Sequence, residues 1–334
     1  MRRIPTARGD EIDPQDLGFT LMAENIFSVT PDLDINWPDM YGDSDQRIID
    51  AIMALRVAKQ AGVDTLVDRT VAGIGRNVSR IKRIALHSPV NILVATGFYT
   101  WRDVPFRLIF QKDLGDLLQD KRGFEYYFQR DIEEGIGDTG VRAAVLKVAT
   151  DRYGVTEGVE MLLRTTAKVH RRTGVPISTH TNGAQTALAQ CKIFQEEGVD
   201  LSRVYLGHVD STPGDGIEEM LEVIKLGATV SFDMLSSADL MGNRESRIKR
   251  IVELCSLGYA GRLGLSHEVA LFADHVPALD FEAGQRYAKF APWTEVSLDL
   301  IPKLRERGVT EDQIVQMTVR NPQRILESTA LGSY

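Results

Sequence analysis

RRTGVPISTHT, residues 171–181, reads as the end of a helix, a glycine stop and a short buried strand that closes on polar residues. The same phrase returns in KQAGVDTLV (59–67) and KLGATVSFD (225–233). Outward from these three, apolar runs occur at 18–22, 63–70, 91–99, 143–151, 175–181, 203–210, 227–234 and 261–268. Between them lie amphipathic stretches such as 43–62, 156–174, 184–198 and 217–227, several of which end on glycine. Apolar strands without alternation imply a sheet covered on both faces. Eight such strands alternating with helices in 334 residues predict an α/β fold, a closed (β/α)8 TIM barrel forming a single domain over 1–334. No glycine-rich dinucleotide loop follows the first strand, which argues against an open doubly wound sheet.

Two longer connections interrupt the pattern. An insertion at about 100–141 carries the helix-like FEYYFQRDIEEGI, and a strand-eight loop at about 269–295 carries two prolines and Trp293. Both are expected over the C-terminal mouth of the barrel, where they would shape a pocket.

Bulk composition narrows the function classes. Hydrophobic residues at 43% and charged residues at 26% suit a globular protein with a sizeable core. A net charge of −8 argues against nucleic acid or an anionic membrane as the main partner. Cys191 and Cys255 are too few for a disulfide framework and fit a reducing interior. No apolar run follows the two early arginines and none is long enough to span a bilayer, so a cytoplasmic location is expected.

Barrel interiors are filled by apolar side chains, so polar residues at C-terminal strand ends point to chemistry. Lys147 in VLKVATD, His180 in PISTHT, His208 in LGHVD and Glu268 in LSHE come from four strands and should converge at one mouth. Two imidazoles and a carboxylate are ordinary ligands for zinc or another divalent metal. A lysine inside an apolar strand is costly unless its pKa falls or its charge is paired, with Asp151 and Asp233 as candidate partners. His267 alternates with Glu268, so only one of the two faces inward. His87, His170 and His275 read as surface residues on helices or loops.

With these residues in place, the chain resembles the phosphotriesterase-like lactonase family of the amidohydrolase superfamily over nearly its whole length. The resemblance rests on GFTL (18–21), VDTLVDRTVAGIGRNVSRIKRIA (63–85), NILVATGFYT (91–100), LKVATD (146–151), PISTHTN (176–182), EEGVDLSRVYLGHVDST (196–212), LSHE (265–268) and ERGVTEDQIVQMTVRNPQRIL (306–326). It implies a hydrolase with a two-metal centre in which a strand-one His-x-His pair and a strand-eight Asp bind one ion. Two histidines on strands five and six bind the other, and a carboxylated lysine bridges both. A bridging hydroxide then attacks a lactone or phosphotriester. It also implies a homodimer.

Residue by residue, Lys147, His180 and His208 match that pattern, and these three are assigned to the metal. Ala23 and Asn25 stand at the His-x-His positions, and Glu268 stands where Asp is expected. Strand seven reads Asp233-Met234, without the arginine that the resemblance leads one to expect. All the changed ligand positions belong to the first ion, so one ion is expected rather than two. The expected function is hydrolysis of a lactone, ester or organophosphate-like small molecule, with Glu268, Lys147, His180 and His208 as catalytic groups. Tyr99, Phe98, Arg69, Asn25 and Asp233 are assigned to the substrate, with Arg69 holding an anionic group if it points inward. Two alternatives stand beside this reading. One is a metal-independent hydrolase or lyase in which the four catalytic groups perform acid–base work. The other is an inactive barrel with a binding role.

Overall fold

The computed structural model describes residues 3–113, 122–234, 243–274 and 292–327. Eight parallel strands follow one another around a barrel: β1 (Thr20–Ser28), β2 (Thr65–Asp68), β3 (Asn91–Phe98), β4 (Val145–Ala149), β5 (Ile177–His180), β6 (Val204–Gly207), β7 (Thr229–Phe232) and β8 (Leu263–Leu265). Each pairs with its sequence neighbour from β1 to β8. The chain after β8 returns to β1 through Glu268 N–H to the Ala23 carbonyl (3.0 Å) and Asn25 N–H to the Val269 carbonyl (3.0 Å). A ninth strand, β9 (Ala270–Ala273), then runs parallel to β1. The (β/α)8 barrel read from the sequence is the fold. Ahead of it, Ile4–Pro5 and Glu11–Ile12 form a short antiparallel ladder.

Local chemistry sets the helix ends. The helix Glu157–Thr173 starts at Thr156, whose side chain accepts the Val159 N–H, and stops at Gly174 with φ 70°. Its apolar face, with Val159, Leu162, Leu163 and Ala167, lies in the continuous core between helices and barrel. A second cluster fills the barrel interior and includes Met22, Ala23, Val67, Leu93, Ala95, Val145 and Tyr205.

Three readings change. The first strand does not stop at Met22; it continues, buried, to Ser28. Pairing between β1 and β2 shifts register between Leu21 and Glu24, and Met22 and Ala23 therefore both join the interior. The helix Phe124–Glu133, expected over the mouth, instead packs into the outer layer through Phe128 and Ile132. His170 is not a surface residue: it is fully buried, and its Nδ1–H donates to the Val175 carbonyl at 2.7 Å. Within the two long connections, residues 114–121 and 275–291, and with them His275, lie outside the described residues.

Candidate active site

Strand register brings the polar residues together. Lys147 lies opposite Ser178 and His180 lies opposite Gly207, so the ends of β4, β5 and β6 finish at one depth. His208, one residue past β6, has φ 63°, and Glu268, three past β8, has φ 52°. Two non-glycine residues in the left-handed region cost energy that the surrounding contacts must offset. Both lie at the mouth, aimed at each other: His208 Nε2 is 3.4 Å from Glu268 Oε1. The rings of His180 and His208 meet edge to face at 4.3 Å between centroids. One donor atom from each of His180, His208 and Glu268 lies within 4.8 Å of the other two.

Each imidazole is held by a carboxylate. His208 Nδ1–H donates to Asp233 Oδ1 at 2.8 Å, and the same oxygen accepts the His208 backbone N–H at 3.0 Å. His180 Nε2 is 3.0 Å from Asp151 Oδ2, which also accepts from the Tyr99 hydroxyl at 2.9 Å. Burial pushes the His180 imidazole down to about 3, and His208 alongside adds to the fall. His208 also sits below its ordinary range because it is buried, despite the upward pull of Asp233. Both rings are therefore neutral near neutrality, the state in which they ligate a metal. The hydrogen bond from His180 holds the Asp151 carboxyl well below the usual carboxylate range. Burial alone would raise Asp233, but His208 and Arg69 keep it low.

Lys147 is 2% exposed, and its Nζ carries no hydrogen bond among the described residues. Burial pushes its pKa well below the ordinary lysine range, and the Arg69 guanidinium adds to the shift. It forms no ion pair with Asp151 or Asp233 among the described residues; those carboxylates serve the histidines. The carboxylate that converges with the two histidines is Glu268.

Of the residues assigned to the substrate, Tyr99 faces the site, with its ring edge to face with His180 at 5.2 Å. Asn25 is also there: its Nδ2 lies 3.4 Å from Glu268 Oε1, and its Oδ1 accepts from Thr70. Phe98 does not join them. The last residue of β3, next to Tyr99, it points away from the site and packs on Phe124 at 4.9 Å between ring centroids. Arg69 points inward yet is 1% exposed, its guanidinium committed to Glu268, to the Thr179 carbonyl (3.1 Å) and to Ser178 Oγ (3.4 Å). It underlies the site rather than presenting an open cation to a ligand.

Two further residues matter. Asp151 was legible only as a possible lysine partner. Glu24 is fully buried: its Oε1 accepts from Ser266 Oγ, the His267 N–H and His267 Nδ1 at 2.6–2.9 Å, and its Oε2 accepts the Val269 N–H at 3.0 Å. That contact turns His267 away and leaves Glu268 facing the histidines. The alternation of the two neighbours was the only sequence signal for it.

The donor chemistry of His180, His208 and Glu268 suits a divalent ion. Two neutral imidazoles and a carboxylate form a common zinc set. The positions for a second ion offer a methyl group at Ala23 and a neutral amide at Asn25, beside a buried guanidinium.

A sequence model of the phosphotriesterase family matches residues 2–326. A phosphotriesterase homology protein from Mycobacterium tuberculosis is 42% identical, covering 98% of each chain. An aryldialkylphosphatase from Saccharolobus solfataricus is 31% identical over 96% of this chain and 99% of its own. An N-acetyltaurine hydrolase from Dictyostelium discoideum is 27% identical over 83% of this chain and 72% of its own. The solved structure of the Mycobacterium tuberculosis phosphotriesterase superposes with a TM-score of 0.89 at 40% identity, covering 98% of this chain and 99% of that one.

Proposed function

The chain belongs to the phosphotriesterase family, and from that premise we propose that it is a hydrolase working with one divalent ion, zinc or a similar metal. The observation that carries this reading is the convergence of His180, His208 and Glu268 on one point, with their donor atoms within 4.8 Å. Relatives include an aryldialkylphosphatase and an N-acetyltaurine hydrolase. What those chemistries share is attack by water on an electrophilic phosphoryl or carbonyl centre. A lactone, ester or organophosphate-like substrate presents the same kind of centre.

An ion held by His180, His208 and Glu268 would polarise the substrate oxygen and lower the pKa of water. The remaining chemistry belongs to the chain. Arg69 pairs with Glu268, and Glu268 faces the mouth, where it would serve as a ligand or as the acceptor of a proton from the attacking water. Asp151 and Asp233 fix the tautomers of His180 and His208. Burial and Asp151 keep the Tyr99 hydroxyl above its ordinary pKa, so it remains a neutral donor beside His180.

Metal content and hydrolysis measured on one purified sample test this reading. The expected result is one ion per chain, with activity on lactones or aryl esters lost on chelation and restored by zinc. Full activity after exhaustive chelation would overturn it and favour the metal-independent hydrolase or lyase. That second reading draws on one observation, the buried Lys147 amine, which has no hydrogen-bond partner among the described residues and could act as a base or form a Schiff base.

A further inference from the structure

We propose that the Arg69 guanidinium is a built-in cation that takes the place of a second metal ion, positions Glu268, and limits the centre to one ion. The inference rests on the one-ion reading for its setting but makes a separate claim about Arg69.

The guanidinium is delivered to the middle of the barrel. Arg69 follows β2, where its backbone N–H donates to the Glu24 carbonyl of β1 at 2.8 Å. From there the side chain crosses the interior to the Thr179 carbonyl on β5, to Asp233 just past β7 (Nη2 to Oδ2, 3.6 Å) and to Glu268 past β8. The packing makes room for it. Position 207 is glycine; a Cβ there would lie 2.7 Å from Arg69 Nη1. At 1% exposure this is not a surface residue that happens to bend inward.

Its partners divide the work. Glu268 gives Oε2 to Arg69 and presents Oε1 to His208 Nε2 at 3.4 Å. One carboxylate thus spans a fixed cation on one side and the two-histidine pole on the other, the arrangement it would have between two ions. Asp233 is shared in the same way, with Oδ1 on His208 and Oδ2 towards Arg69. A second ion would have to lie against a buried guanidinium with only Ala23 and Asn25 to hold it. Repulsion in a low-dielectric interior is strong, so Arg69 and a second ion exclude each other.

Zinc stoichiometry of the full-length chain, measured after equilibration with zinc and removal of free ion, tests this. Installing the missing ligands as Ala23→His with Asn25→His should leave the zinc count of the wild type unchanged while Arg69 is present. Adding Arg69→Ala to that pair should raise the count by one ion per chain. A gain with Arg69 retained would overturn the inference, as would no gain once Arg69 is removed. Should the triple variant fail to fold by circular dichroism, Arg69→Gln in the same background replaces it. A wild-type count of zero would sink the one-ion reading alone; the gain or its absence on removing Arg69 would still decide this inference. With cobalt in place of zinc, the same gain should appear as added visible absorption.

Discussion

Glu268 pairs with the Arg69 guanidinium through Oε2 and faces His208 Nε2 at 3.4 Å through Oε1. A single carboxylate therefore links a buried cation to the two-histidine pole of the site. Its left-handed backbone, φ 52°, is what turns it there, and the grip of Glu24 on His267 and the Val269 N–H holds that turn in place.

Replacing Glu268 by Gln keeps the shape and removes the charge. Hydrolysis should fall by roughly 100-fold or more, the range for loss of a general acid–base group. Zinc content should fall in the same sample. Glu268→Asp should retain part of both, and a Glu268→Gln variant with wild-type turnover and metal content would remove Glu268 from the chemistry.

Asp151 touches His180 and Tyr99 and lies back from the converging donors. Asp151→Asn should weaken zinc binding by about 10- to 100-fold, the usual effect of losing a carboxylate behind a ligating histidine. Competition against a fluorescent chelator measures it; unchanged affinity would show that His180 needs no such support.

Arg69→Met keeps the bulk but strands Asp233 and Glu268 without their cation. Removing one partner of a buried pair costs about 3–5 kcal/mol, so urea unfolding of the metal-free variant should show a loss of that order with an unchanged slope. A loss under about 1 kcal/mol, the range for exposed pairs, would mean the guanidinium is not holding these carboxylates.

Gly207→Ala tests the same contact from the other side. Its Cβ would lie 2.6 Å from the Thr179 carbonyl and 2.7 Å from Arg69 Nη1. Overpacking of this kind costs about 1–3 kcal/mol. Thermal melting should fall accordingly, whereas Gly62→Ala, where nothing lies within 4 Å, should leave the contacts intact and carry only backbone strain.

His170, far from the mouth in sequence contacts, supplies a pH test. Burial pushes its imidazole down to about 4, so the unfolded chain, titrating near 6.5, binds the extra proton first. Stability from this group is complete above about pH 6.5 and is lost as pH falls through the window to about 4, amounting to roughly 3 kcal/mol. Urea unfolding at several pH values should show this slope in the wild type and a shallower one in His170→Gln. Equal slopes would assign the acid sensitivity elsewhere.

The barrel was legible in the order of residues, because helix, glycine stop and apolar strand are local patterns that repeat through VPISTHT (175–181), VDTLV (63–67) and ATVSF (228–232). Lys147 and His208 were also legible as polar residues at strand ends that the fold buries, with the half-buried His180 beside them. Direction was another matter. Phe98 and Tyr99 are adjacent in sequence, yet Phe98 packs outward on Phe124 and Tyr99 meets His180. His170 looked like a helix-surface residue and is buried by a neighbouring backbone. That Arg69 turns inward became visible only with the strands in place, because its partners lie on β5 and just past β7 and β8, more than a hundred residues away. A long cationic side chain is equally at home in solvent, and the balance of carboxylates that draws it into a barrel exists only once the strands have closed.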